Sequence, residues 1–406
     1  MGIVALCTMV NILDGYDIFV IGYVLPRLPE GFATSAEKGY LVSAALAGIG
    51  IGSFFLSRFA DIIGRRPTLL TAIVVNTIGL TGAYFAPNFE TLLASRFVIG
   101  LAVGVIAILA VVISQEHLPK SLRSIGVGVV MFGYPLGGFL AGIADTSIVD
   151  RWQTLFLIAI LLSITVLVAT IVGVPETIPF LRRSGNPKYY ERAKRLAKRI
   201  HVDEESGVPG VTEAAPRLLA PGIRLTTVAL WLAYPFATAT YYFIGSWTPQ
   251  LIKDATGDIE AGASAGIMIS LGTMTGALIY AFVALRRPST EFAWVAAAIA
   301  IVSVIGFAVT IGSGGITFLW AALLGAAVYG IIVAYTGMAN SVYPANARAK
   351  GYGVMVGVGR LGAILSPILA GYAVNFVSTE TMYLALIAPL AVLIAISVAL
   401  GRSGRA

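Results

Sequence analysis

The chain of 406 residues is 58% hydrophobic and only 12% charged, with a mean hydropathy of +0.89. So few charges could not cover the surface of a soluble protein of this length, which excludes that class. The net charge of +7 would suit a nucleic-acid binder, but basic loops on the inner side of a membrane protein account for it more simply, and no nucleic-acid partner is expected.

A single cysteine, Cys7, excludes an intramolecular disulfide and a cysteine-built metal site, and His117 and His201 both fall in predicted loops. No metal and no cofactor are expected. The first apolar run begins at once, with no basic leader and no small-residue cleavage site, so a cleavable signal peptide is not expected. The missing basic tail before this run points to a start codon further upstream.

Apolar runs of about 18 or more residues recur along the chain, continuous rather than alternating, which fits membrane-spanning helices and not barrel strands. The reading is an all-α membrane protein of about 12 transmembrane helices. The first six spans cover 4–26, 39–60, 68–86, 90–113, 123–146 and 152–173. The second six cover 225–251, 261–284, 292–312, 315–338, 350–372 and 381–401.

Most of the 27 Lys and Arg residues lie in the loops of one side, in the segment 174–224 and in the C-terminal tail. The opposite loops carry Arg27, Lys38, Arg151 and Lys253 among eight acids that include Glu37, Asp145 and Asp254. The positive-inside rule places both termini in the cytoplasm of a multi-pass cell-membrane protein, with a bacterial inner membrane expected. Within the central segment, "PKYYERAKRLAKRI" has the pattern of a basic amphipathic helix on the inner surface, and the stretch after it reads as a linker. The expected organisation is a six-helix bundle at 1–173, a cytoplasmic linker at 174–224 and a second six-helix bundle at 225–406.

The halves repeat. Pro119, Arg123, Gly126 and Gly128 recur at the same spacing as Pro344, Arg348, Gly351 and Gly353, and "RRP" at 65–67 returns at 286–288. An internal duplication joined by a basic linker points to a transporter with its substrate site between two bundles.

The first span holds "NILDGYDIFVIGYVLP", in which Asp14 and Asp17 interrupt an apolar run. Residues three apart share a helix face. Burial and mutual repulsion favour the neutral form of at least one acid, and a carboxyl that gains and loses a proton is what a proton-coupled carrier needs. Structural acids bonded to a neighbouring helix are the alternative. Arg96 in the fourth span and Arg360 in the eleventh are intramembrane bases that could clamp an anion by bidentate bonding. For Arg96, a pairing with Asp14 or Asp17 is an equal alternative. Tyr16, Tyr134, Tyr241, Tyr242, Trp247, Tyr329 and Tyr335 are candidates to hold an aromatic ring; each could equally be packing or an interface anchor.

"SRFADIIGRRPTLL" (57–70) resembles the loop 2–3 signature of the major facilitator superfamily, Gly-x-x-x-Asp-Arg-x-Gly-Arg-Arg, with matches at Asp61, Gly64, Arg65 and Arg66; Ser57 and Ile62 depart from it. The resemblance implies a conformational latch at the inner face, with Asp61 pairing an arginine and Gly64 allowing a tight turn. "EHLPKSLR" resembles the Glu-x6-Arg element of sugar-type members through Glu116 and Arg123, and "PETIPFLRR" resembles their Pro-Glu-Ser motif. Glu116 and Glu176 are expected to pair with Arg123 or a neighbouring base.

"DGYD", "ASRFVIGLAVG", "FGYPLGG" and "YPANARAKGYGVMVGVGRLGAILSP" resemble the aromatic acid:H⁺ symporter branch over nearly the whole chain. That resemblance implies uptake of an aromatic or related organic acid with protons, by a monomer in the lipid bilayer. Carriage of a non-aromatic metabolite such as a dicarboxylate or sugar acid, or proton-driven drug export, are the rival readings. An intramembrane aspartyl protease would need acids on facing helices, whereas these share one, so no enzyme activity is expected. A scaffold or receptor would not need duplicated inner motifs, and no nucleotide-binding loop is present, so ATP drive is not expected.

Overall fold

A computed structural model describes residues 2–119, 122–148, 151–183, 218–219, 223–343 and 345–402. Among these residues the regular structure is helical, with no β-strand. The helices of the first half are α1 Gly2–Val24, α2 Ser35–Phe55, α3 Phe59–Ile62, α4 Arg65–Tyr84, α5 Phe89–His117, α6 Arg123–Ile148, α7 Trp152–Gly173 and α8 Ile178–Arg183. Those of the second half are α9 Arg224–Thr256, α10 Ile259–Val283, α11 Ser289–Thr310, α12 Gly315–Val342, α13 Ala345–Ala373, α14 Thr379–Leu384 and α15 Ile387–Arg402. The expected amphipathic helix and its linker lie outside the described residues.

Among the described residues, eleven segments are long and apolar enough to cross a membrane. The seventh expected span is α9, whose 33 residues suffice in length but whose threonines and tyrosines lower its hydropathy. The last expected span, 381–401, is broken at Ala385 and Leu386. Pro389 explains the break, because it has no N–H for the carbonyl four residues back, at Ala385, and its ring collides with that carbonyl.

The chain divides into two compact units that do not follow the sequence halves. One comprises 1–20, 44–140 and 153–211; the other comprises 21–43, 141–152 and 212–406.

In the first unit, Val4, Cys7, Val10 and Leu13 of α1 share a core with Leu69 and Ile73 of α4 and with Ile106, Leu109 and Ile113 of α5. Phe54, Ile78 and Val172 stay exposed, as expected where the surrounding solvent is hydrocarbon. Lipid supplies no hydrophobic force between helices, so association depends on close van der Waals contact through small residues. Gly48 and Gly52 of α2 meet Gly100 and Gly104 of α5 in this way. A Cβ on Gly100 would run into the Ala45 carbonyl, and one on Gly52 into the Leu101 carbonyl. Gly15 of α1 lies against the Tyr134 backbone of α6, and Gly137 of α6 against the Ile12 carbonyl and the Tyr16 N–H of α1.

In the second unit, Gly272 and Gly276 of α10 pack on the Ala322 and Ala326 carbonyls of α12, and Gly362 of α13 packs on the Pro235 carbonyl of α9. The last turn of α1, the first turns of α2 and the last turns of α6 also belong here. Arg27 Nε bonds Asp145 Oδ1 at 2.5 Å. Lys38 Nζ donates to Gln250 Oε1 at 3.1 Å, Ser43 Oγ to the Ile364 carbonyl at 2.7 Å, and the Tyr40 and Tyr372 hydroxyls meet at 2.5 Å.

A matched pair of substitutions in and beside the α2–α5 contact tests the close-approach account. Gly100→Ala is expected to lower thermal stability in detergent by about 1–3 kcal/mol through overpacking, although alanine is the better helix former. Gly50→Ala, whose Cβ would meet nothing within 4 Å, is expected to leave stability unchanged or raise it. Equal melting temperatures for the two variants would show that α2 and α5 do not need the glycines.

Candidate functional site

Asp14 and Asp17 are both buried in α1, Asp17 completely. A carboxylate in hydrocarbon needs donors, and two neighbouring helices provide polar groups here. Asn76 Nδ2 of α4 donates to Asp17 Oδ2 at 2.6 Å. Arg96 Nη1 of α5 donates to the Asp17 main-chain carbonyl at 2.7 Å, using the lone pair that the helical hydrogen bond leaves over. Arg96 is only 1% exposed. Tyr16 turns towards α7, its hydroxyl donating to the Leu155 carbonyl at 3.1 Å. Tyr134 meets the Phe19 ring edge-on, with centroids 5.5 Å apart. Asn76 was not anticipated from sequence; its one signal was an amide amid the apolar residues of the third span.

Arg360 is half-buried on α13. Its Nη1 approaches the Tyr242 hydroxyl at 3.4 Å. Tyr242 packs edge-on against Tyr241 at 5.3 Å, and Tyr241 lies 5.4 Å from Tyr329 of α12. The Tyr234 ring rests on Gly359, the residue before Arg360, where a Cβ would strike it. Thr336 of α12 lies beside the hydroxyls of both Tyr234 and Tyr352. The Tyr242 hydroxyl thus stands at the guanidinium, within a cluster of phenols drawn from three helices. Such a setting can fork a carboxylate, stack a ring and bond ring substituents.

Tyr234, Tyr352 and Thr336 were not among the sequence candidates. Tyr335, which was, faces elsewhere: its hydroxyl is 2.9 Å from Ser397 Oγ of α15. Successive helical residues point about 100° apart, so Thr336 and not Tyr335 turns to the tyrosine cluster. Trp247 is wholly buried in α9, and its indole N–H has no hydrogen-bond partner among the described residues.

The loop motifs gather in the first unit. Gly64 has φ of +112°, a conformation that glycine adopts without strain. Glu176 caps α4, accepting the backbone N–H of Arg65 at 3.1 Å and of Arg66 at 3.2 Å. Arg65 bonds Asp61 at 3.0 Å and lies 3.5 Å from Glu116, while Arg66 Nη2 donates to the Ile171 carbonyl at 2.7 Å. Arg123 does not carry the Glu116 pairing: its Nε donates to the Leu118 carbonyl at 3.2 Å. The helix ends at His117, so Arg123 closes the turn that follows, and Glu116 meets the base that the neighbouring helix presents. Among the described residues no cluster of His, Cys, Asp or Glu could hold a metal ion.

The model of the Major Facilitator Superfamily matches residues 7–339. The 4-hydroxybenzoate transporter PcaK of Pseudomonas putida is 29% identical over 96% of this chain and 90% of its own length. The gallate transporter of Pseudomonas putida is 27% identical over 91% of this chain and 84% of its own length. In structure the chain resembles the xylose transporter XylE of E. coli in a partially occluded inward-open conformation, with a TM-score of 0.74 at 14% identity, covering 99% of this chain and 97% of that one. The protein is a transporter and not an enzyme, and the chain belongs to the Major Facilitator Superfamily.

Proposed function

We propose that the protein is a proton-coupled symporter that takes up an aromatic carboxylate by alternating access. The observation that carries this reading is the Arg360 guanidinium 3.4 Å from the Tyr242 hydroxyl, with Tyr242 packed on Tyr241 and Tyr241 on Tyr329 and the Tyr234 ring on the neighbouring Gly359. A cation answers the carboxylate and the phenols answer the ring and its substituents. The names of the two similar transporters point the same way, since gallate and 4-hydroxybenzoate both carry a carboxylate on an aromatic ring.

The proton site in this reading is the pair Asp14 and Asp17, with Arg96 beside Asp17. A wholly buried acid is accessible to a proton in one state and shielded in the other. In this reading two six-helix bundles, 1–173 and 225–406, carry the alternation of access, with both termini and the segment 174–224 in the cytoplasm of a bacterial inner membrane, as the distribution of basic loops favours. The Asp61–Arg65–Glu116 group acts as an inner latch. Asp61 is exposed and its pair with Arg65 contributes little stability, so its value lies in being made in one state and broken in another.

Uptake of labelled benzoates, hydroxybenzoates and non-aromatic acids into proteoliposomes, with and without a proton gradient, tests the whole reading. A protonophore is expected to abolish accumulation and spare equilibrative exchange. Asp14→Asn and Asp17→Asn keep the shape but not the exchangeable proton; each is expected to eliminate proton-driven accumulation, with at least one retaining substrate binding by calorimetry. Normal accumulation by both variants would make the acids structural.

Arg360→Lys keeps the charge and loses the planar fork, so binding is expected to weaken by about 1–3 kcal/mol. Affinity equal to that of the parent protein would place the clamp elsewhere.

Asp61→Asn removes the acid of the latch, and its expected effect is a slower turnover with substrate affinity little changed. Loss of binding with normal turnover of the bound fraction would count against a latch.

A further inference from the structure

Asn76 and Asp17 are both 0% exposed, and a single hydrogen bond, Asn76 Nδ2 to Asp17 Oδ2 at 2.6 Å, joins them. Each side chain has a second oxygen. Asp17 Oδ1 and Asn76 Oδ1 are both buried and have no hydrogen-bond partner among the described residues. An ionised carboxylate can only accept, and so can an amide oxygen. One N–H···O bond therefore holds together two groups that each keep a bare acceptor away from water, an arrangement that costs free energy while Asp17 is charged. One hydrogen removes the conflict. On Asp17 Oδ1 it can be donated to Asn76 Oδ1, and acid and amide then face each other through two antiparallel hydrogen bonds.

We propose that Asn76 is the positioning residue that holds a proton on Asp17, by closing a cyclic acid–amide pair with the protonated side chain. The proposal deepens the proton-coupled reading above and rests on it for its role in transport. The proton comes from the aqueous phase and returns to it, and no other covalent bond changes.

The groups around Asp17 fit an exchange between two partners. Asn76 is the uncharged partner on α4. Arg96 is the cation on α5, with Nη1 on the Asp17 carbonyl and a buried Nε that has no hydrogen-bond partner among the described residues. Asp14 lies on α1 itself. From α6, Gly137 and Gly138 pack on α1, and neither carries a charge. With the proton bound, Asp17 is tied to α4 by two hydrogen bonds. When the proton leaves, Oδ1 confronts the amide oxygen, and the guanidinium of Arg96 is the group that answers the new charge. Proton occupancy in this way selects whether α4 or α5 holds the Asp17 side chain.

The test is infrared difference spectroscopy of the full chain, recorded between acidic and alkaline pH in the region of the protonated carboxyl C=O stretch. The parent protein is expected to show a band that is absent in Asp17→Asn. In Asn76→Leu that band is expected to move to higher wavenumber, because the acid carbonyl no longer accepts the amide N–H. Asn76→Asp, close to asparagine in size and able to share the proton between two carboxyls, is a second variant in case leucine prevents folding; it is expected to broaden and displace the band. No Asp17-dependent band at any pH, or a band unmoved by either Asn76 substitution, overturns the proposal.

Uptake by Asp17→Asn separates this from the wider reading. If that variant still accumulates substrate while the band responds to Asn76, the acid–amide pair stands and coupling through Asp17 fails. If accumulation is lost while the band ignores both Asn76 substitutions, coupling through Asp17 stands and the pair falls.

Discussion

An acid cannot be placed in hydrocarbon unless its surroundings are arranged for it, and the first compact unit is arranged around Asp17. Its side chain is completely buried, so every donor must come from protein. α4 has to present Asn76 and α5 has to present Arg96, both within hydrogen-bond distance of one residue of α1. Such convergence is possible only if the helix axes approach closely. The glycines at the α2–α5 and α1–α6 contacts bring backbone against backbone, and packing at that range is what holds helices together where hydrophobic association is absent. The polar cluster and the glycine contacts are therefore one requirement seen from two sides.

The Arg360 region solves a different problem. Gly359 and Gly362 let α13 lie on α9, yet Arg360 itself stays half-buried, with its Nη1 3.4 Å from the Tyr242 hydroxyl. In the proposed reading the guanidinium answers a carboxylate and the tyrosine rings answer an aromatic face. In that reading the contrast with Asp17 is one of scale: the fully enclosed group takes the proton, and the half-buried one takes the planar organic anion.

Span positions were legible in the sequence because length and hydropathy alone decide whether a segment can cross a bilayer. Asp14, Asp17 and Gly64 were legible for a related reason, since a charge in an apolar run or a glycine in a basic loop stands out locally. Asn76, Tyr234 and Tyr352 were not, because one polar or aromatic residue in a membrane helix has no period, and its partner depends on how helices pack. Tyr335 shows the same limit, where one position along the helix separates a residue facing α15 from one facing the tyrosine cluster. Of the two partners the sequence left open for Glu116, Arg123 or a neighbouring base, the structure brings the neighbouring base, Arg65; spacing along the chain does not reveal which helix supplies it. The interruption before α15 was open to prediction, since Pro389 announces it, but hydropathy averaged over a window passes across a proline without registering it.

Cys7 has a practical consequence. It is the one thiol in the chain, and it is 1% exposed within the core shared by α1, α4 and α5. A thiol-reactive fluorophore cannot reach it while that core is intact and labels it once the core opens. The wild-type sequence thus carries its own reporter of unfolding, usable in micelles or lipid without engineering. The same burial leaves the folded surface chemically silent, so a cysteine introduced at any exposed loop position would be the only site to react.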